Sequence, residues 1–229
     1  DDYPELYAEA TETMDKTWAA FGNHPSWVIW SLSNECEYRN AAGNAMMRNL
    51  AQRARDMDCG RLITNVVHLM PESSELDFCD FIGLNRYYGV EKPVPRLGEL
   101  ELFVSEPTRK DLERLAELYP DKPIVMTEFG AVSVKGLRGE ARMSEEHHGK
   151  LLEYTWAAMS GCKNLCGAVL WAWADYFHNR NFFSAEPGGM HINTPFGPYG
   201  AVTVDRRVKQ AVYDALKNIF RDADKIIQE

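Results

Sequence analysis

The sequence predicts an α/β fold in which helices cover a parallel sheet. Two observations carry that expectation. Short runs that are apolar throughout, as strands buried on both faces must be, alternate with longer stretches of helical spacing. The 229 residues are 45% hydrophobic and 11% aromatic, which is enough for a sizeable core and within the length that α/β folds reach as one domain. Five strand-like runs are found, with no internal repeat and no low-complexity stretch.

In chain order, residues 5–21 (ELYAEATETMDKTWAAF) read as a helix stopped by Gly22-Asn23 and His24-Pro25. Residues 27–33 (WVIWSLS) are an apolar run with β-branched and aromatic members, a buried strand. Residues 40–58 place apolar side chains at helical spacing despite Gly43. Residues 61–68 (RLITNVVH) and 80–88 (DFIGLNRYY) are strand-like. Residues 109–119 form an amphipathic helix ended by Pro120, and 123–129 (PIVMTEF) a buried strand. Residues 144–160 open with Ser144 and two acidic residues, as an N-cap and first turn do. Residues 167–174 (GAVLWAWA) are the last strand and 205–220 the last helix. The stretches 89–108 and 174–204 are long, rich in Gly and Pro, and unpatterned; loops of that length usually carry function or are disordered.

The formal charge of −9 repels phosphate backbones, so nucleic acid is not an expected partner, and no run has the apolar length to cross a bilayer. The five cysteines (Cys36, Cys59, Cys79, Cys162 and Cys166) fit no disulfide framework. Cys162 and Cys166 lack the second pair or His cluster of a zinc site, so all five are read as free thiols. This usage leans towards a reducing compartment such as the cytoplasm. The N-terminal residues are no signal peptide. No metal or cofactor is called for.

Polar residues gather where the apolar runs end. Residues 27–33 lead into Asn34 and Glu35; 61–67 into His68; 80–84 into Asn85, Arg86, Tyr87 and Tyr88. Residues 123–127 lead into Glu128, and the last strand carries Trp171 and Trp173 into Asp175. A carboxylate is costly to desolvate without a partner, so a core strand has no use for one. In parallel α/β architectures the C-terminal strand ends share one face, and that face holds the site. One such glutamate would read as a solvated carboxylate paired with Arg. Two at corresponding strand ends, beside Asn, Tyr and Trp, suit glycoside cleavage: one protonates the leaving oxygen, and the other attacks the anomeric carbon or activates water. Tryptophan offers a face for a sugar ring, while Asn and Tyr offer hydrogen bonds to hydroxyls.

These segments resemble glycoside hydrolase family 2. NHPSWVIWSLSNE (23–35) is similar to its acid/base signature, DFIGLNRYYG (80–89) to a sugar-contacting segment, and KPIVMTEFGA (122–131) to its nucleophile segment. VLWAWADY (169–176) resembles its last barrel strand, and GAVTVDRRVKQAVYDALKNIF (200–220) its final helix, reached through a D-R-x-x-K step. The matches run in family order over about residues 20–220. The resemblance implies a (β/α)8 TIM barrel, of which the chain holds about strands 4 to 8, and a retaining β-glycosidase. It implies Glu35 as acid/base, Glu128 as nucleophile, Asn34 on the 2-hydroxyl, Asn85 and Tyr87 lining the sugar pocket, and Trp171 as sugar platform. The retaining geometry puts the two carboxyl groups about 5–5.5 Å apart.

Two departures qualify this. Five strands cannot close a barrel and leave two apolar edges open. Residues 1–229 are therefore expected to be the C-terminal portion of the catalytic barrel domain, completed by the rest of a parent chain or by self-association. In addition, the N-x-K motif with which the family's β-glucuronidases grip the sugar carboxylate is missing from residues 182–202; the nearby cations are Arg180, Arg206 and Arg207. A neutral sugar such as a β-galactoside is then preferred to a β-glucuronide. The rivals are a non-catalytic carbohydrate-binding or structural remnant and an endo-acting β-glycanase of the same barrel clan.

Elsewhere, His147 and His148 read as solvent-facing, and His24 as fixing the loop before its strand. His68 can reach the pocket. His178 and His191 lie in the long loop. Arg86 reads as a partner of a site carboxylate, and Glu37 and Asp175 as residues that could orient site members.

Overall fold

The computed structural model describes residues 4–58, 60–90, 96–177 and 196–227. The chain divides into two compact units, residues 1–85 with 114–125 and residues 86–113 with 126–229. The strands β1 (Ile29–Asn34), β2 (Leu62–Val67), β3 (Ile82–Arg86), β4 (Ile124–Phe129) and β5 (Leu165–Leu170) hydrogen-bond in chain order. α1 (Pro4–Phe21) precedes β1; α2 (Ala41–Met57), α3 (Glu106–Leu118) and α4 (Glu145–Met159) run between strands, and α5 (Gln210–Ile227) follows them.

In the first unit β1 pairs with β2, and β2 with β3, in parallel. Every residue of β3 is buried, as is β2 beyond Leu62, which explains why both read as apolar on two faces. The Asn40 side chain caps α2 by accepting from Gly43 N at 2.7 Å. That helix buries Met47, Leu50, Ala51 and Ala54, a helical stripe, and packs on β1 and β2. Trp18, Trp27 and Trp30 cluster at the start of β1, with Trp27 and Trp30 ring centroids 4.3 Å apart. Arg61 lies over Trp18 and Trp27 and ion-pairs with Asp58 at 2.5 Å. An apolar groove of about 560 Å3, lined by Leu6, Met14, Trp27, Ile29 and Leu32 among others, runs between α1 and β1.

In the second unit α4 packs on α5, which turns Val212, Ala215, Leu216 and Ile219 inward. The Ser144 hydroxyl accepts from His147 N at 3.1 Å, the N-cap the sequence predicts. An apolar groove of about 400 Å3 is lined by Trp156, Met159, Leu165, Leu170 and Phe220 among others. Beyond β5, two short strands, β6 (Tyr176–Phe177) and β7 (Phe196–Gly197), pair antiparallel.

Several sequence expectations are corrected. α3 starts at Glu106, not 109, and follows a π-helical turn at Glu101–Ser105, so residues 97–108 are not loop. Pro107 falls in the first turn, where a missing N–H costs nothing. His147 and His148 are buried rather than solvent-facing. The first turn of α4 is covered from two sides: His148 Nδ1 meets the Ser133 hydroxyl at 2.9 Å, and Glu145 accepts from Gly136 N at 2.8 Å. On the other side Gly149 sits so close to the Ala211 carbonyl that a Cβ would be 2.9 Å from it. The last strand ends at Leu170, so Trp171 and Trp173 follow it instead of lying within it. Cys59, His178, Arg180, His191 and most of the 174–204 stretch lie outside the described residues.

Candidate active site

In the first unit the candidate residues sit at the ends of β1, β2 and β3. The register of β1 on β2 shifts between Ser31 and Asn34, which turns the chain out of the ladder at the strand end. Glu35 follows with φ 56°, a left-handed conformation that costs a side-chain-bearing residue energy unless its surroundings hold it. One such hold is its backbone N–H, which donates to Val66 O at 2.9 Å. Asn85, only 1% exposed, donates through Nδ2 to Glu35 Oε1 at 2.7 Å and to Asn34 Oδ1 at 3.1 Å. His68 Nδ1 lies 3.9 Å from Glu35 Oε2. Asn34, Glu35, His68 and Asn85 are thus brought together. The Glu35 side chain keeps 35% exposure, so water can reach it.

In the second unit Glu128 lies in β4, half-buried. Tyr87 donates its phenol hydroxyl to Glu128 Oε2 at 2.5 Å. The Tyr87 ring meets Tyr199 edge-on at 6.0 Å, and Tyr199 stacks on Tyr176 at 6.3 Å. Trp171 donates Nε1 to the Tyr176 hydroxyl at 3.1 Å. Its own backbone N–H donates to Phe129 O at 2.9 Å, and the Trp171–Ala172 peptide is cis. Gly130 must be glycine for this approach, because a Cβ there would stand 2.0 Å from the Trp171 carbonyl oxygen. Burial pushes the Tyr176 phenol up, the Trp171 bond opposes this, and the Glu128 charge adds to it. Tyr87, Glu128 and Trp171 are therefore members of one aromatic cluster. Tyr176 and Tyr199 complete it and were missed in the sequence. The signal available was a tyrosine in each of WADYF and GPYG.

Other assignments change. Arg86 pairs with Asp111 of α3, which also accepts from the Tyr88 hydroxyl at 2.8 Å. The helix supplies a carboxylate 25 residues away, a partner that local pattern cannot reveal. Burial, then the Asp111 charge, push the Tyr88 phenol up to about 12. Asp175 is buried and pairs with Lys209 Nζ at 2.7 Å. Glu37 is exposed and accepts from Arg39 N at 2.7 Å. The His24 ring accepts from Ser26 N at 3.3 Å, which ties down the loop before β1. Among the described residues no group of three or more His, Cys, Asp or Glu could hold a metal, and no helix is long and apolar enough to cross a membrane.

Comparison with known proteins places this geometry. Residues 1–212 match the family described as glycosyl hydrolases family 2, TIM barrel domain. The chain is 33% identical over 211 residues to a β-glucuronidase of Paenibacillus borealis, covering 90% of this chain and 33% of that protein. It is 30% identical over 201 residues to a β-glucuronidase of Streptococcus agalactiae, covering 85% of this chain and 31% of that one. The structure of a β-D-glucuronidase from Dictyoglomus thermophilum superposes with a TM-score of 0.79 at 23% identity, covering 94% of this chain and 36% of that one, and so shares the fold. The chain spans about a third of the length of these proteins. With the family matched over 212 residues and its five-stranded sheet in chain order, the chain belongs to the TIM-barrel domain family of glycosyl hydrolases family 2.

Proposed function

We propose that this chain supplies both catalytic carboxylates of a retaining β-glycosidase. The observation that carries the reading is that two strand ends each present a glutamate held by an uncharged donor, Glu35 by the Asn85 amide and Glu128 by the Tyr87 phenol. In the first step Glu35 gives its proton to the glycosidic oxygen as that bond breaks, and Glu128 Oε attacks the anomeric carbon. A glycosyl ester on Glu128 forms and the aglycone leaves. In the second step the ionised Glu35 takes a proton from water, whose oxygen replaces Glu128 at the anomeric carbon with net retention. The solvent access of Glu35 suits that second role.

Asn34 accepts from Asn85 through its carbonyl oxygen, so its amide hydrogens remain the end suited to the 2-hydroxyl. Asn85 and Tyr87 line the sugar site, His68 borders it beside Glu35, and Trp171 is the platform for the ring. Residues 1–229 form the C-terminal portion of the catalytic barrel domain. The outer strands support this: β1 and β5 are more exposed than β2 and β3, and each borders an apolar groove. The remaining part of a parent chain, or a second copy, covers them.

For the sugar, the likeness to β-glucuronidases favours a β-glucuronide over the β-galactoside that the missing N-x-K motif suggests. The galactoside remains the second reading because residues 182–202 carry no N-x-K motif. The test is hydrolysis of nitrophenyl β-glucuronide, β-galactoside, β-glucoside and β-mannoside by the full-length protein and by this chain alone. Cleavage of one of them by the full-length protein is expected. Sugar binding without cleavage would favour a carbohydrate-binding protein, and cleavage confined to internal bonds of polysaccharides would favour an endo-glycanase.

A further inference from the structure

Lys209 is fully buried, although it lies in the charged stretch DRRVK. All three of its ammonium protons are used within the second unit. They go to Asp175 Oδ1 at 2.7 Å, Ser133 O at 2.6 Å and Pro198 O at 3.2 Å. The three acceptors come from the segment after β4, the segment after β5 and the return just past β7. Asp175 Oδ1 also accepts from Gly200 N at 2.8 Å, and a Cβ on Gly200 would lie 2.0 Å from Asp175 N. Tyr199 is therefore gripped on both sides, through Pro198 and through Gly200. It is the ring that separates Tyr87 from Tyr176, and Tyr87 holds Glu128.

We infer that Lys209 and Asp175 form a buried clamp that sets the Tyr199 ring and, through it, the hydrogen bond from Tyr87 to Glu128. Lys209 is a positioning residue, since it meets neither substrate nor the reacting atoms. This inference rests on the glycosidase reading only for its effect on rate; the geometry it predicts does not depend on that reading. The clamp is not explained as a simple stabiliser. Burial pushes the Asp175 carboxyl up and the Lys209 amine down, and the attraction between them offsets only part of that. Glu145, Lys135 and His148 are the other titratable groups acting on Lys209 or lying beside Ser133, and Tyr176 is the titratable phenol next to Glu128.

The test uses the full-length protein with Lys209→Met, and with Lys209→Met combined with Asp175→Asn, which removes the clamp without leaving a buried charge. Crystal structures read the separation of the Tyr87 hydroxyl and Glu128, and the pH dependence of kcat/KM reads the ionisation of Glu128. The clamp account predicts that this contact opens beyond hydrogen-bond distance in the double variant. It also predicts that the acid limb of kcat/KM moves up by about one pH unit, because a carboxylate that loses a donor is easier to protonate. If Lys209→Met fails to fold, the double variant and Tyr199→Ala decide. A contact and an acid limb that both stay as in the wild type, with only the melting temperature lowered, would overturn the inference. If the wild-type protein cleaves no glycoside, the function reading fails, and the Tyr87–Glu128 separation alone still decides the clamp.

Discussion

The two units each carry one glutamate at a strand end, and they hold it differently. Glu35 follows β1 on a left-handed backbone, keeps a third of its side chain in solvent, and is touched by an amide and, at 3.9 Å, an imidazole. Glu128 stays in the regular part of β4 and is bonded to a phenol packed among other aromatic rings. An amide donor on an exposed carboxylate leaves it open to solvent water, as the proposed proton transfer from water needs. A hydroxyl at 2.5 Å inside an aromatic cluster fixes the carboxylate oxygen it meets, as the proposed nucleophile needs. The two carboxylates differ in what surrounds them, and the proposed division of roles rests on that difference.

The largest effects test that division directly. Glu128→Gln is expected to abolish turnover of every aryl β-glycoside the full-length protein accepts. Glu35→Gln is expected to lower kcat by roughly 10²–10⁴-fold on a substrate with a poor leaving group, and much less on a dinitrophenyl glycoside, whose leaving oxygen needs no proton. Equal losses in both variants on both substrates would erase the asymmetry. Next in size, Tyr87→Phe removes a hydrogen bond to a charged oxygen, worth about 1.5–3 kcal/mol, so kcat/KM falls about 10–100-fold and its acid limb rises. Asn85→Ala is smaller, about tenfold in kcat/KM, because the variant loses the amide hydrogen bond that holds the Glu35 carboxylate in place.

The smallest effect concerns stability against pH. Burial lowers the proton affinity of His148, with the Lys209 and His147 charges adding to it. Below about pH 6.5 the unfolded chain then takes up a proton that the native state refuses, so stability is lost as pH falls. Thermal melts from pH 7.5 to 5 are expected to show a falling midpoint whose slope is reduced in His148→Asn.

The succession of helices and strands was legible because β2 and β3, buried on both faces, leave apolar runs with few interruptions. Glu35 and Glu128 stood out because a charge at the end of such a run has no structural purpose. Ser144 was legible as a cap because its role is local. What stayed hidden depends on contacts distant in sequence. Periodicity cannot tell how many neighbours cover a helix turn, so the burial of His147 and His148 went unread. Arg86 finds Asp111, and Lys209 finds Asp175 and Ser133, across 25 to 76 residues. Tyr199 reads as a turn residue in GPYG until Tyr87 and Tyr176 are seen against it.

The central claim is that Glu128 is the nucleophile of a retaining reaction. It is tested most directly by incubating the full-length protein with a 2-deoxy-2-fluoro aryl β-glycoside of the sugar it accepts, then mapping the peptides by mass. The account predicts a single glycosyl adduct, on the peptide carrying Glu128, with turnover lost in step. An adduct on Glu35, or hydrolysis with inverted configuration and no adduct, would contradict it.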